Sequence, residues 1–257
     1  MSPPLSEPIR YRLTVEYDGG AYCGWQRQKD CLTVQEVLEK GLRQLFGHPV
    51  ELLCAGRTDK GVHATGQVAH FDAWQPRSPE TIVRAVNALS PSTVAVLAAT
   101  RVSTDFHARY SATYREYLYR LLDRRLVPSA LDRDRVWCTP GRTLDAERMR
   151  QAGATLMGTH DFSAFRAAGC QAKHPIRTVQ RLELLRRGEE LHLIMGANAF
   201  LYHMVRNVVG TLVQVGQGRW SADRFQEVFQ SLDRRNAGPT APPQGLYLTR
   251  VEYPQSL

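Results

Sequence analysis

The chain has 257 residues, a net charge of +8, 43% hydrophobic and 23% charged side chains. That balance excludes a wholly disordered chain and describes a globular one with a basic bias. The longest apolar run, Val94 to Ala99, is far short of a membrane span, and the start, Met1 to Pro8, lacks the regions of a secretory signal, so a soluble, cytoplasmic protein is expected.

After a proline-rich tail, residues 1–9, Tyr11 to Tyr17 alternates apolar and polar residues and runs into Asp18-Gly19-Gly20, which predicts a half-buried strand and a turn. Thr33 with Glu36 forms a capping box, and Val34, Val37, Leu38, Leu42, Leu45 and Phe46 recur at helical spacing up to Gly47. Val50 to Cys54 and Gln67 to Phe71 read as strands around a glycine-bounded loop. Ser78-Pro79 opens a second helix to about Leu89, and Val94 to Val102 is another strand. The second half repeats this grammar loosely. Thr113 to Leu122 is a strand and Asp145 to Met157 a helix. Val179 to Leu185 with Glu190 to Met195 makes a hairpin, Leu201 to Val215 and Ala222 to Leu232 are helices, and Gly245 to Tyr253 closes as a strand. Two α/β domains, residues 10–104 and 105–257, sharing one sheet fit this order better than a helical bundle or an all-β plan.

Five cysteines, Cys23, Cys31, Cys54, Cys138 and Cys170, form no CxxC pair, and their odd number points to reduced, unligated thiols. Cys23, His63, His107 and His203 show no metal-ligand spacing, so no metal is expected. Of the 33 basic residues only four are lysines. Arginine forks suit phosphate oxygens and base planes, although a solvated basic surface accounts for the charge equally well.

The densest group of polar residues is Cys54-Ala-Gly-Arg-Thr-Asp-Lys-Gly-Val-His-Ala64. Gly56 and Gly61 allow tight turns, and Arg57-Thr58-Asp59 is presented between them, where a neighbouring cation can keep one carboxylate ionised. An Asx-turn around Asp59 is the structural alternative. The spacing is not that of a phosphate loop.

Gly56 to His63 resembles the signature loop of the tRNA pseudouridine synthase A family. Three further segments agree in order: Tyr17 to Gln26, Tyr114 to Tyr119, and Phe200 to Gly210. The resemblance implies the pseudouridine synthase fold, an α/β chain of α+β type with two RRM-like halves on a mixed, mainly antiparallel sheet. It also implies isomerisation of uridine to pseudouridine at positions 38, 39 and 40 of the tRNA anticodon stem-loop, by a homodimer with no cofactor. Carried onto this sequence, Asp59 is the catalytic carboxylate, acting on ribose or uracil. Tyr117 is the tyrosine that stacks on the flipped uracil, where core packing is the alternative role. Arg206 is the arginine that pairs with the carboxylate, and Arg57 the one that fills the space left by the extruded nucleotide. Arg109, Arg115, Arg120, Arg124 and Arg125 could supply further contacts to the RNA backbone.

Two other classes compete. A noncatalytic RNA-binding protein of two RRM-like halves would carry a Lys/Arg-Gly-Phe/Tyr stacking motif, and none is found. A metal-dependent nuclease needs clustered carboxylates, whereas Asp132, Asp134 and Asp145 have no partner loop.

Overall fold

The structure, a computed structural model, describes residues 7–124, 129–139 and 143–255. The first six residues of the expected tail, and Arg125, lie outside these. Two compact units are formed, one by the chain through Thr113 together with the stretch from Leu248 onward, the other by Tyr114–Tyr247.

In the first unit, β1 (Ile9–Tyr17) buries every second side chain, Ile9, Tyr11, Leu13, Val15 and Tyr17, as its alternation requires. It pairs antiparallel with β3 (His63–Ala73) and with β4 (Val94–Val102), while the two-residue β2 (Leu53–Cys54) pairs with β3. The last strand, β10 (Leu246–Glu252), lies beside β3 and completes the order β4-β1-β3-β10. Helix α1 (Val34–Phe46) starts where the Thr33 hydroxyl accepts the Glu36 N–H at 3.4 Å and stops at Gly47, which takes a φ of +75°. Helix α2 (Pro79–Leu89) is capped by Ser78, which accepts the Thr81 N–H at 3.3 Å. Leu38, Leu42, Ile82 and Val86 from these helices are fully buried with Leu13 and Val15, each such side chain contributing about 1.5–3 kcal/mol.

The expected strand Val50 to Cys54 is reduced to Leu53–Cys54. The Leu52 N–H donates to Glu39 Oε1 at 2.9 Å and its carbonyl accepts from Gln35 Nε2 at 3.2 Å, so α1 side chains satisfy the backbone that a ladder would have used. The expectation of reduced cysteines is corrected for one pair. Cys23 and Cys31 are joined in a disulfide, their Cα atoms 6.1 Å apart, while Cys54, Cys138 and Cys170 are free. The intervening segment folds back on itself, with the Cys23 N–H donating to the Leu32 carbonyl at 2.9 Å and Gln28 bridging Cys31. A spacing of eight residues gives no hint of that reversal.

His70, on β3, is buried, and its Nδ1 accepts the Ala108 N–H at 3.1 Å. Burial first, and then the charges of Arg10 and His107, push it down to about 4, against the opposing pull of Asp72. The unfolded chain therefore takes up a proton on this histidine below about pH 6.5 that the folded chain refuses until about pH 4. Stability is expected to fall as pH drops through that window, by up to about 3 kcal/mol from this group. Urea denaturation midpoints from pH 7 to pH 4 check it, with a shallower decline expected for His70→Gln.

The second unit has strand order β5-β9-β8-β7, from β5 (Tyr114–Leu122), β9 (Glu190–Ala197), β8 (Ile176–Arg187) and β7 (Gly158–Asp161), all antiparallel. The short β6 (Trp137–Cys138) pairs parallel with β5. Helix α3 (Ala146–Ala154) packs on β8, on α4 (Met204–Gly216) and on α5 (Ala222–Gln230). Phe165 stacks with both Phe225 and Phe229 at ring separations of 5.9 and 5.7 Å. The helix expected to run to Met157 stops at Ala154, and Gly158 at φ +96° turns the chain into β7. The helix expected from Leu201 starts at Met204, because His203 takes a left-handed φ of +57°. The fold class is the expected one, mixed α/β with mainly antiparallel strands. Among the described residues no helix is long and apolar enough to cross a membrane.

Candidate active site

Asp59 and Arg57 belong to the loop that joins β2 to β3 in the first unit, with Arg57 exposed and Asp59 half-buried. This loop is short of regular hydrogen bonds of its own, and neighbouring segments hold it from several sides. The Ala55 N–H donates to Val68 O at 2.7 Å, Gln67 Nε2 donates to Gly56 O at 2.7 Å, and the Trp25 N–H donates to Thr58 O at 3.0 Å. Thr58 is buried with its hydroxyl 2.8 Å from the Tyr17 hydroxyl, and the Gly61 N–H reaches Tyr22 O at 3.4 Å. The Val62 N–H donates to Asp59 O at 3.1 Å and closes the turn, where Gly61 takes a φ of +78°.

The segment 17–26 is thus the brace of the loop, a role that its sequence did not disclose. Gly24 sits at φ +91°, and a Cβ there would lie 2.4 Å from Thr58 O and 2.9 Å from the carbonyl carbon of Asp59. Gly19 is as tight, since a Cβ would come within 2.0 Å of Val62 O. Only glycine lets two backbones approach so closely. His63 is buried and accepts the Gly19 N–H on Nδ1 at 3.0 Å, so it acts as a fastener between the same two segments. Desolvation pushes the Cys54 thiol up to about 12, with Arg57 and Arg109 pulling the other way, so the sulfur beside the loop stays protonated and is no nucleophile near neutral pH.

Tyr117 and Arg206 lie in the second unit. Tyr117, on β5 opposite Met195, is 9% exposed and meets Phe200 edge-to-face with ring centroids 5.0 Å apart. Arg206 occupies the first turn of α4, a helix buried on nearly all sides. Its Nε donates to Ala241 O at 2.8 Å while its own carbonyl accepts the Ala241 N–H at 3.1 Å. Gly210, one turn further along, meets the same segment so closely that a Cβ would lie 1.8 Å from Pro239 O. The proline-rich stretch therefore fixes the direction in which the guanidinium leaves the helix. The sequence reading gave Phe200 and Ala241 no role of their own, and only their contacts place them beside Tyr117 and Arg206. Among the described residues no three His, Cys, Asp or Glu side chains gather as a metal would require.

An α/β chain that presents one carboxylate on a braced loop, with arginines and a packed tyrosine as the other marked groups, has the makings of an RNA-modifying enzyme. The family model for tRNA pseudouridine synthase matches residues 13–111 and 152–254. A tRNA pseudouridine synthase A of Paramagnetospirillum magneticum is 52% identical over 248 residues, 96% of each chain. Those of Rhodospirillum rubrum and Maricaulis maris are each 50% identical, over 96% and 95% of this chain and 88% and 98% of theirs. A solved Cbf5–Nop10–Gar1 complex aligns with 93% of this chain and 48% of that one at 14% identity, with a TM-score of 0.40. This chain belongs to the tRNA pseudouridine synthase A family, isomerases that form pseudouridine in tRNA.

Proposed function

We propose that this protein isomerises uridine to pseudouridine at positions 38, 39 and 40 of the tRNA anticodon stem-loop, with Asp59 as the catalytic carboxylate. The observation that carries the reading is the firm presentation of the loop Gly56 to His63, whose main chain is tied to Tyr22, Trp25 and the Gln67 side chain. A nucleophile or base gains from being fixed before the substrate arrives, because little orientational freedom is then left to lose at the transition state. The reaction breaks the N-glycosidic bond, turns the uracil and joins C5 to the ribose; the C5 hydrogen leaves as a proton and N1 takes one up, so composition and oxidation state are unchanged and no redox partner is required. The target nucleotide must leave its stack at a cost of a few kcal/mol. Arg57, exposed on the loop, is assigned to the space that it leaves, and Tyr117 to the face of the extruded uracil. Arg206 is assigned as the cation that serves the carboxylate. The enzyme is read as a cytoplasmic homodimer acting on tRNA. Mapping of pseudouridine in tRNA after incubation with the purified protein tests the activity and the positions together.

Arg206→Met is expected to slow single-turnover pseudouridine formation on saturating tRNA by about 10²-fold or more, the scale seen when one charge-stabilising donor is removed. Because Arg206 also fastens Ala241, Arg206→Lys separates the two roles. It keeps the charge and loses the fork geometry, and should retain more activity than the methionine variant. Equal rates for wild type and Arg206→Met would remove Arg206 from the site.

A further inference from the structure

The turn that joins β4 to β5, residues 103–113, displays one aromatic ring to solvent. Tyr110 is 77% exposed, although the turn beneath it is held by hydrogen bonds from several sides. Arg10 Nη1 donates to the carbonyls of Thr104 and Phe106 at 2.5 and 2.8 Å, and the Tyr253 hydroxyl donates to Ala108 O at 2.8 Å. His70 accepts the Ala108 N–H from below. The Ser111 hydroxyl accepts the His107 N–H at 3.0 Å, and the Ser111 N–H returns to His107 O at 2.9 Å. Nδ1 of His107 accepts the N–H groups of Arg109 and Tyr110 at 3.1 and 3.2 Å, which locks its ring. The Tyr110 ring then lies 4.4 Å from that imidazole at an angle of 37°, with the Arg109 guanidinium 5.5 Å from its centre.

The turn also sits beside the catalytic loop. Phe106 and Ala108 pack in one buried cluster with Ala55, the residue from which that loop departs, and with Val68 of β3. The charges of Arg57 and Arg109 both reach Cys54 at the foot of the loop. An exposed aromatic held in place by its backbone, with a guanidinium against it, has lost its freedom before meeting a ligand. A flat, electron-rich partner gains most from such a surface, and every nucleobase offers a π-face of the right size.

We propose that Tyr110, backed by His107 and flanked by Arg109, is a stacking platform for an unpaired base of the RNA substrate beside the nucleotide that reacts. This rests on the reading of the protein as a tRNA-modifying enzyme and adds to it a residue that sets how the RNA is seated. Stacking is tolerant of base identity, so the platform positions the strand without selecting its sequence, and Arg109 supplies the charge for the adjoining phosphate.

The test is equilibrium binding of an unmodified tRNA transcript to the wild type and to Tyr110→Ala, Tyr110→Phe and Tyr110→Trp, at several salt concentrations. Tritium release from C5-labelled tRNA is followed on the same samples. Tyr110→Ala should raise Kd about tenfold while leaving the slope of log Kd against log salt unchanged, since no phosphate contact is lost. Phenylalanine and tryptophan should stay within about twofold of the wild type, because the ring and not the hydroxyl does the work. A wild-type Kd for Tyr110→Ala, or a loss in Tyr110→Phe equal to that in Tyr110→Ala, overturns the platform. Tritium release by the wild type judges the underlying activity separately: without it the tRNA reading fails, whatever the Kd series shows.

Discussion

Asp59→Asn is expected to fold normally, bind tRNA with nearly the wild-type affinity, and form no pseudouridine. The amide has the shape of the carboxylate and lacks its charge, so what binds the RNA is kept and what stabilises the transition state is lost. The loop's position does not depend on the Asp59 carboxylate alone, since the main-chain bonds with Tyr22 and Trp25 and the bond from the Gln67 side chain remain. The effect should therefore appear in turnover and not in the melting temperature. Tritium release from tRNA labelled at uracil C5, together with a binding isotherm, measures both sides. The expected fall is several orders of magnitude, as for removal of a nucleophile. A residual rate above about a tenth of the wild type would show that another group carries the chemistry.

Gly24→Ala should also damage catalysis, though less, and for a reason 35 positions away in the chain. Its φ of +91° disfavours any side chain, and the new methyl would meet Thr58 O and the main chain of Asp59 at less than 3 Å. Main-chain atoms cannot swing aside as a flexible side chain can, so the Trp25–Thr58 hydrogen bond must open and the loop of Asp59 must move. A displacement of about 1 Å at a reacting group can cost 10²-fold in rate, and that is the expected loss in kcat. Gly47→Ala provides the comparison. Gly47 has a φ of +75° but nothing within 4 Å of the added Cβ, so only the backbone cost of about 1–2 kcal/mol is expected, with kcat unchanged. Thermal melts and single-turnover rates for the two variants check the contrast. Equal kcat values would mean that the close approach at Gly24 does not set the geometry of the loop.

These two substitutions divide what can be read from sequence from what cannot. Asp59 was a candidate at once, because Gly56-Arg-Thr-Asp-Lys-Gly-Val-His63 is a contiguous string that resembles the signature loop of the family. Gly24 stood in a segment that resembled the family, yet nothing in that segment said which loop it would touch. The helix starting at Thr33 and ending at Gly47 was equally plain, since a capping hydroxyl, a 3.6-residue period and a left-handed glycine all act within a few residues. The start of α4 was misplaced by three residues because His203 adopts a left-handed backbone, which is uncommon for residues other than glycine and which no local pattern announces.

By itself, the sequence determined the α/β grammar, the positions of most strands and helices, and the family with its candidate carboxylate. All of these depend on periodicity, caps and motifs that span a few to a dozen residues. The tertiary structure alone decided that Cys23 and Cys31 are joined, that α1 takes the backbone of Leu52 away from a strand, and that the chain's last strand returns to β3 in the first unit. It also decided that glycines 19 and 24 and the side chains of His63 and Gln67 hold the loop of Asp59 in place. Each of these outcomes depends on which backbone atoms meet after the chain has folded. A one-dimensional pattern does not encode that distance when the partners are remote in sequence or joined by an irregular turn.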